Sequence, residues 1–252
     1  MPQIEFATAC AADIGQGVFE TLLVVDGRAV GPRRHLERMR ASLLALYGAE
    51  LAPGVETALA EFAAGHALAR LRMEAVLAPP EPQRAPSAPE IRVSVTPVDP
   101  AVVLPSAEAD VVTVGVRDGA GPHKTIDRSW FEQIEALAGE GVRPLLVASS
   151  GELLESTRAN VFLMRDGELA TPRADGSILA GTVRTVVVEH ARRLGIPLRE
   201  MPLTLEHLEQ ADIVLLTGSV RLLERARRRR ASAASTRAAD RLAAALAADA
   251  GL

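Results

Sequence analysis

Gly151-Glu-Leu-Leu-Glu-Ser-Thr-Arg-Ala-Asn-Val-Phe162 is the stretch from which the rest of the chain is read. Gly151 marks a turn, a short polar segment follows, and Asn160-Val-Phe-Leu-Met164 reads as an apolar strand. Asp166-Gly167 is a two-residue hairpin signal that returns the chain through Glu168-Leu-Ala-Thr-Pro172. Glu155 stands in the middle, between two apolar pieces. A carboxylate there is either a solvated turn residue or a buried anion with a partner, because an unpaired buried charge is too costly.

With 252 residues the chain has room for one large domain or two medium ones. A hydrophobic content of 48% and a charged content of 24% are ordinary for a globular protein. A net charge of −4 argues against a nucleic-acid partner. The local exception, Arg221 to Arg230, holds six arginines in ten residues and reads as a solvated face or mobile basic segment rather than an anion site. A single cysteine, Cys10, excludes an intramolecular disulfide and suits a reducing compartment. The start, Met1-Pro-Gln-Ile-Glu, has no basic region followed by an apolar core, and no apolar run reaches the roughly 18 residues of a membrane span. These readings predict a cytoplasmic protein without membrane segments.

In order, the pattern predicts strands over 3–9 and 18–25, the second closed by Asp26-Gly27. Helices are expected over 34–47 and 55–69, then strands over 71–77 and 91–98 separated by the Pro-rich loop Pro79 to Pro89. A strand over 111–117, a helix over 126–138 and a strand over 144–149 lead into the opening stretch. Beyond it come helices over 182–194, 205–209 and 236–248, with a buried strand at 213–216. The chain divides into a domain of residues 1–115 and one of residues 116–252.

Lys124 is the only lysine, against 27 arginines. In a chain that otherwise takes its positive charge from arginine, it reads either as a chance surface residue or as an amine needed for its chemistry, since lysine alone of the two forms Schiff bases. Glu155 could keep a pyridine nitrogen protonated. Gly181-Thr182 opens a helix and Thr217-Gly-Ser219 follows a buried strand; both are ordinary caps and turns, and both offer the donors of a phosphate site. Arg38 could supply a cation there.

Together Gly17-Val-Phe-Glu-Thr-Leu22, His35-Leu-Glu-Arg38, Lys124-Thr-Ile-Asp-Arg128, Glu155 through Phe162, Thr171-Pro172, Leu179 to Arg184 and Ala211-Asp212 through Ser219 resemble the successive motifs of the fold-type IV pyridoxal-phosphate enzymes. That family includes branched-chain and D-amino-acid aminotransferases and 4-amino-4-deoxychorismate lyases. The resemblance implies an α/β (α+β) two-domain fold, a smaller N-terminal and a larger C-terminal domain with pyridoxal 5′-phosphate between them, in a homodimer. It implies that Lys124 holds the cofactor as an internal aldimine and shuttles protons, and that Glu155 pairs with the pyridinium nitrogen. Arg38, Gly181, Thr182 with the Val183 backbone, and Thr217, Gly218, Ser219 with the Val220 backbone would hold the phosphate. Asn160 would support the cofactor and Arg128 the substrate. The Lys-Thr-Ile-Asp-Arg motif is similar to the lyases that release pyruvate and 4-aminobenzoate; an aminotransferase of the same family, or a cofactor-binding protein that has lost catalysis, are the alternatives. Four places depart from the usual pattern: Gln16, Ala78-Pro79, Arg143-Pro144 and the tail after Leu223.

Overall fold

A computed structural model of the chain describes residues 3–5, 17–78, 88–226 and 231–252. They fall into two compact units, a smaller one of 17–78, 88–100, 123–128 and 250–252 and a larger one of the remainder. The architecture is the expected mixture of helices and sheets. The first strand, β1 (Gln3–Glu5), belongs to the larger unit. The 79–87 part of the expected Pro-rich loop, Cys10, Gln16 and Arg227 to Arg230 lie outside the described residues.

The smaller unit is built on a four-stranded antiparallel sheet of order β3-β2-β4-β5, where β2 is Gly17–Val25, β3 Arg28–Ala29, β4 Leu68–Val76 and β5 Glu90–Pro97. Asp26 (φ 46°) and Gly27 (φ 74°) both take the left-handed conformation of the turn that matches strand twist, as the Asp-Gly signal predicts. Helix α1 (Pro32–Tyr47) lays Leu36, Met39 and Leu43 against Val18, Leu22 and Val24 of β2. Burying each such side chain stabilises the unit by about 1.5–3 kcal/mol. Helix α2 (Val55–Ala63) stops short of the expected Ala69, because Gly65 (φ 82°) turns the chain and Leu68 already pairs with Val25.

The helix expected over 126–138 begins only at Ser129. Residues 124–126 lie along β2. The Phe19 amide donates to the Lys124 carbonyl (2.9 Å), the Ile126 amide donates to the Gly17 carbonyl (3.0 Å), and Val18 faces Thr125 in an antiparallel bridge. With β4 on one edge of β2, this segment takes the edge that the short β3 leaves unpaired at that end.

In the larger unit, α3 (Pro100–Val103) leads to β6 (Asp110–Val116), α4 (Ser129–Ala138), β7 (Val142–Ala148), β8 (Glu152–Ser156), β9 (Asn160–Arg165) and β10 (Glu168–Thr171). Then follow α5 (Thr182–Arg193), β11 (Leu198–Glu200), β12 (Leu203–Thr204), α6 (Leu205–Gln210), β13 (Ile213–Thr217), β14 (Glu224–Ala226) and α7 (Ala233–Ala250). Two five-stranded sheets result, β1-β6-β7-β8-β12 and β11-β10-β9-β13-β14. One core joins the two sheets through Leu145, Val147, Leu153, Val161, Leu163, Val214 and Leu216. A second holds Phe131 and Ile134 of α4 with Val112, Val114, Leu146 and Leu154. Strand β8 is therefore buried on both faces, with Leu153 in one core and Leu154 in the other, although its sequence is Glu-Leu-Leu-Glu-Ser. None of the described helices is long and apolar enough to cross a membrane.

Candidate functional site

In the larger unit, β8 carries Glu155 to a buried position (4% exposed). Two neutral donors fix its carboxylate. The Leu179 amide lies 3.2 Å from Oε1, and Asn160 Nδ2 donates to Oε2 at 3.2 Å while also donating to the Leu179 carbonyl at 2.8 Å. Gly181, which precedes α5, allows this arrangement: a Cβ there would stand 1.9 Å from Asn160 Oδ1. The carboxylate is thus held in place by directed hydrogen bonds, an orientation that suits it to receive a further N–H group.

Asn160 pairs in register with Thr217 at the end of β13, so the two side chains share one face of the sheet. Thr217 Oγ1 is buried and has no hydrogen-bond partner among the described residues. A buried hydroxyl left unsatisfied is costly, and an arriving acceptor would relieve it. Gly218 follows in a turn closed by its amide on the Arg221 carbonyl (3.0 Å), with Ser219 and Val220 half-buried. Thr182, also buried, and Val183 begin the twelve-residue α5, at the end of the helix whose dipole favours an anion. The expected residues Glu155, Asn160, Gly181, Thr182, Val183 and 217–220 therefore all belong to one unit.

The smaller unit holds Lys124, Arg128 and Arg38. Arg38 donates from Nε (2.8 Å) and Nη2 (2.7 Å) to the two oxygens of Glu20, and His35 Nδ1 is 2.7 Å from Glu20 Oε2. Glu20 and His35 are almost fully buried. Burial alone would raise the Glu20 carboxyl; the hydrogen bonds from His35 and Arg38 and the guanidinium charge overcome it and hold the pKa down at about 2. Burial depresses His35 below its ordinary 6.5, against the pull of Glu20. Neutral His35 then donates Nδ1–H to the carboxylate, and the Arg38 guanidinium carries a balancing charge.

On the other face of β2, the Phe19 ring has Lys124 Nζ 4.6 Å, Arg128 Cζ 5.9 Å and Arg72 Cζ 3.8 Å from its centroid. His123, next to the lysine, hydrogen-bonds Ser42 Oγ of α1 at 3.0 Å. Glu20, His35, Phe19 and Arg72 were not among the residues expected to act. The signal for Glu20 was present: one acid inside an otherwise apolar nine-residue strand.

A sequence profile of the family described as amino-transferase class IV matches residues 17–228. A probable branched-chain-amino-acid aminotransferase of Synechocystis sp. is 34% identical over 91 residues, which cover 36% of this chain and 30% of that protein. The chain spans about a quarter to a third of the length of the curated relatives it matches. Among solved structures, a hypothetical aminotransferase from Mycobacterium tuberculosis, in its alpha-ketoglutarate and PMP bound form, has a TM-score of 0.78 at 27% identity over 95% of this chain and 92% of that one. The 4-amino-4-deoxychorismate lyase from Pseudomonas aeruginosa has a TM-score of 0.75 at 20% identity over 98% and 97% of the two chains, a likeness of fold.

Proposed function

We propose that this chain, which belongs to the class IV aminotransferase family, is a pyridoxal-5′-phosphate enzyme acting on the amino group of a small amino-acid-like or chorismate-derived substrate. The observation that carries this reading is the buried Glu155 carboxylate, fixed by the Asn160 amide and the Leu179 N–H. It supplies the anion that keeps a pyridine nitrogen protonated. The orphaned Thr217 hydroxyl and the N-terminus of α5 fit a phosphate in the same unit.

When bound, the cofactor supplies an electron sink for the substrate carbon that bears the amine. The residues do the rest. Lys124 Nζ would hold the cofactor covalently and then carry the proton at the reacting carbon. Glu155 would face the ring nitrogen, with Asn160 keeping its carboxylate from turning. Thr182, the Val183 amide, Thr217, Gly218, Ser219 and the Val220 amide would hold the phosphate. Arg38, whose Nε and Nη2 donate to Glu20, would be the further cation of this set.

For the reaction, the Lys124-Thr-Ile-Asp-Arg128 motif favours elimination of pyruvate from 4-amino-4-deoxychorismate to give 4-aminobenzoate. Amino transfer is a second reading, favoured by the names of the relatives. The homodimer that the resemblance implies belongs to the same proposal, and light scattering decides it.

The test is the visible spectrum of the purified protein with added cofactor, before and after borohydride, followed by mapping of the labelled peptide. A reducible chromophore fixed on Lys124 is expected. Lys124→Ala should lose the covalent label with the fold intact. Glu155→Gln should keep the label and lose turnover about a hundred-fold, the scale of one removed electrostatic stabiliser. A protein that takes up no pyridoxal phosphate overturns the proposal. Release of pyruvate from aminodeoxychorismate, with no amine form of the cofactor generated by amino acids, selects the lyase; the reverse selects the aminotransferase.

A further inference from the structure

Two of the four places where the sequence departs from the usual pattern, Arg143-Pro144 and the tail after Leu223, meet in the larger unit. Arg143 Nε and Nη2 donate to the two oxygens of Glu224, the first residue of that tail, at 2.8 and 2.9 Å. The Glu224 side chain is 7% accessible and that of Arg143 25%. An acid at position 143 would set two carboxylates against each other there, and an apolar residue at 224 would leave the guanidinium without this partner. Each departure therefore answers the other.

The pair stands where the two sheets of that unit close on each other. On β7, Arg143 shares a face with Leu145 and Val147, which enter the core between the sheets. On β14, Glu224 is in register with Leu216 of β13, a member of the same core. Two parallel, charge-assisted hydrogen bonds thus join one sheet to the other at the rim of that core, beside the end of β13. Thr217 is the next residue, and the loop that follows carries Gly218, Ser219 and Val220. The Leu222 amide ties this loop to the Val103 carbonyl at 2.9 Å, and Arg221 Nε stands 3.7 Å from Glu224 Oε1. Glu224 is therefore the point on which the loop's own arginine and the arginine of the facing sheet converge.

The opposite side of the loop is also bounded. A Cβ on Gly218 would lie 3.2 Å from the Arg158 carbonyl, in the turn between Glu155 and Asn160. Arg158 is in turn held by Glu135 of α4 through bonds of 2.7 and 2.6 Å. The Arg143 pKa is raised above its ordinary value chiefly by the hydrogen bonds to Glu224, against the cost of burial, with Glu135 adding to the rise and Arg158 opposing it. The two ion pairs lie within each other's field.

We propose that Arg143 and Glu224 are a positioning pair: without touching the ligand, they hold residues 217–220 at the spacing a phosphate requires, and so set how strongly the chain prefers a phosphorylated ligand. The phosphate role of 217–220 rests on the function proposed above; the hold on them rests on the bonds between the sheets.

Calorimetry of the full chain with pyridoxine 5′-phosphate and with pyridoxine, neither of which has an aldehyde for Lys124 to capture, isolates this preference. The wild type should favour the phosphate ester about a hundred-fold, the scale of two charge-assisted bonds. Arg143→Lys keeps the charge but cannot grip both oxygens, and should lower the preference about ten-fold. Glu224→Gln should lower it to a similar extent. That variant separates position from charge, since losing a negative charge near a phosphate would by itself raise the preference. The double variant should lose no more than either single one, because both remove the same contact. Arg199→Gln, a charge change at an exposed place in the same unit, should leave the preference intact. Thermal melting checks that each variant folds; if Glu224→Gln does not, Arg143→Lys decides. A preference undiminished in Arg143→Lys or Glu224→Gln, or diminished as much in Arg199→Gln, overturns the inference and leaves the proposed function standing. A wild type that does not favour the phosphate ester overturns both the inference and the phosphate role given to 217–220.

Discussion

Replacing Glu20 by Gln tests the electrostatics of the smaller unit directly. The side chain is 1% exposed, between a guanidinium and an imidazole, and its pKa is held down from 4.5 to about 2. Each pH unit between those values is worth about 1.36 kcal/mol, so the ionised carboxylate contributes on the order of 3 kcal/mol. Breaking buried pairs by mutation costs about 3–5 kcal/mol, the same scale. The sign follows from proton counting. Below pH 4.5 the unfolded chain takes up a proton that the folded chain refuses, so this contribution is complete above pH 4.5 and is lost as pH falls toward 2. Urea unfolding followed by far-UV circular dichroism, from pH 7 down to 2.5, reads both effects. Glu20→Gln should be about 3 kcal/mol less stable at pH 7 and should lack the part of the acid limb due to Glu20, so the two curves converge in acid. If they stay parallel between pH 4.5 and 2.5, the folded protein is not keeping Glu20 ionised and the account of the pair is wrong.

Two further substitutions probe neighbouring parts of the argument. His35 has its pKa lowered from 6.5, chiefly by burial, so the unfolded chain binds the extra proton and wild-type stability begins to fall below pH 6.5. His35→Gln should flatten that decline, read as a smaller shift in urea midpoint between pH 7.5 and 5.5; an unchanged shift refutes it. Gly181→Ala places a methyl carbon 1.9 Å from Asn160 Oδ1 and should force that side chain off both Glu155 and the Leu179 carbonyl. The expected cost is about 2–4 kcal/mol in unfolding free energy, and a variant as stable as wild type would show that the loop shifts at little cost.

What the sequence disclosed follows from how local each signal is. Asp26-Gly27 and Asp166-Gly167 carry their own geometry, and both adopt positive φ at both residues. Helix α1 ends at Gly48 in the left-handed conformation, where a glycine stop was expected. The boundary of α2 was misread because the short apolar run Ala67-Leu-Ala69 suits the end of a helix as well as the start of a strand. Gly65 has already turned the chain by then, and His66 lies past the helix. The 126–138 segment was misread for a different reason. Its first residues are held by β2, a partner far away in sequence, and nothing in Lys124-Thr-Ile-Asp shows that pairing. The polar look of 152–156 likewise hid a strand, since a buried Glu155 becomes tolerable only through Asn160 and Leu179. The grouping of Glu155 with the donors at 160, 181–183 and 217–220 in one unit, and of Lys124 with Phe19 in the other, is knowledge that only tertiary structure supplies.

The bridge between Val18 and Thr125 has a bearing on synthesis at the ribosome. The smaller unit's sheet is complete in sequence by Pro97, yet the bridging segment with the chain's only lysine emerges roughly a hundred residues after the strand it joins. Contacts of such long range close slowly, because loop entropy is lost before the pairing is gained. The nascent sheet therefore waits with one edge of β2 unpaired at that end until residue 126 has left the tunnel, and Lys124 is set in place only as that edge is sealed.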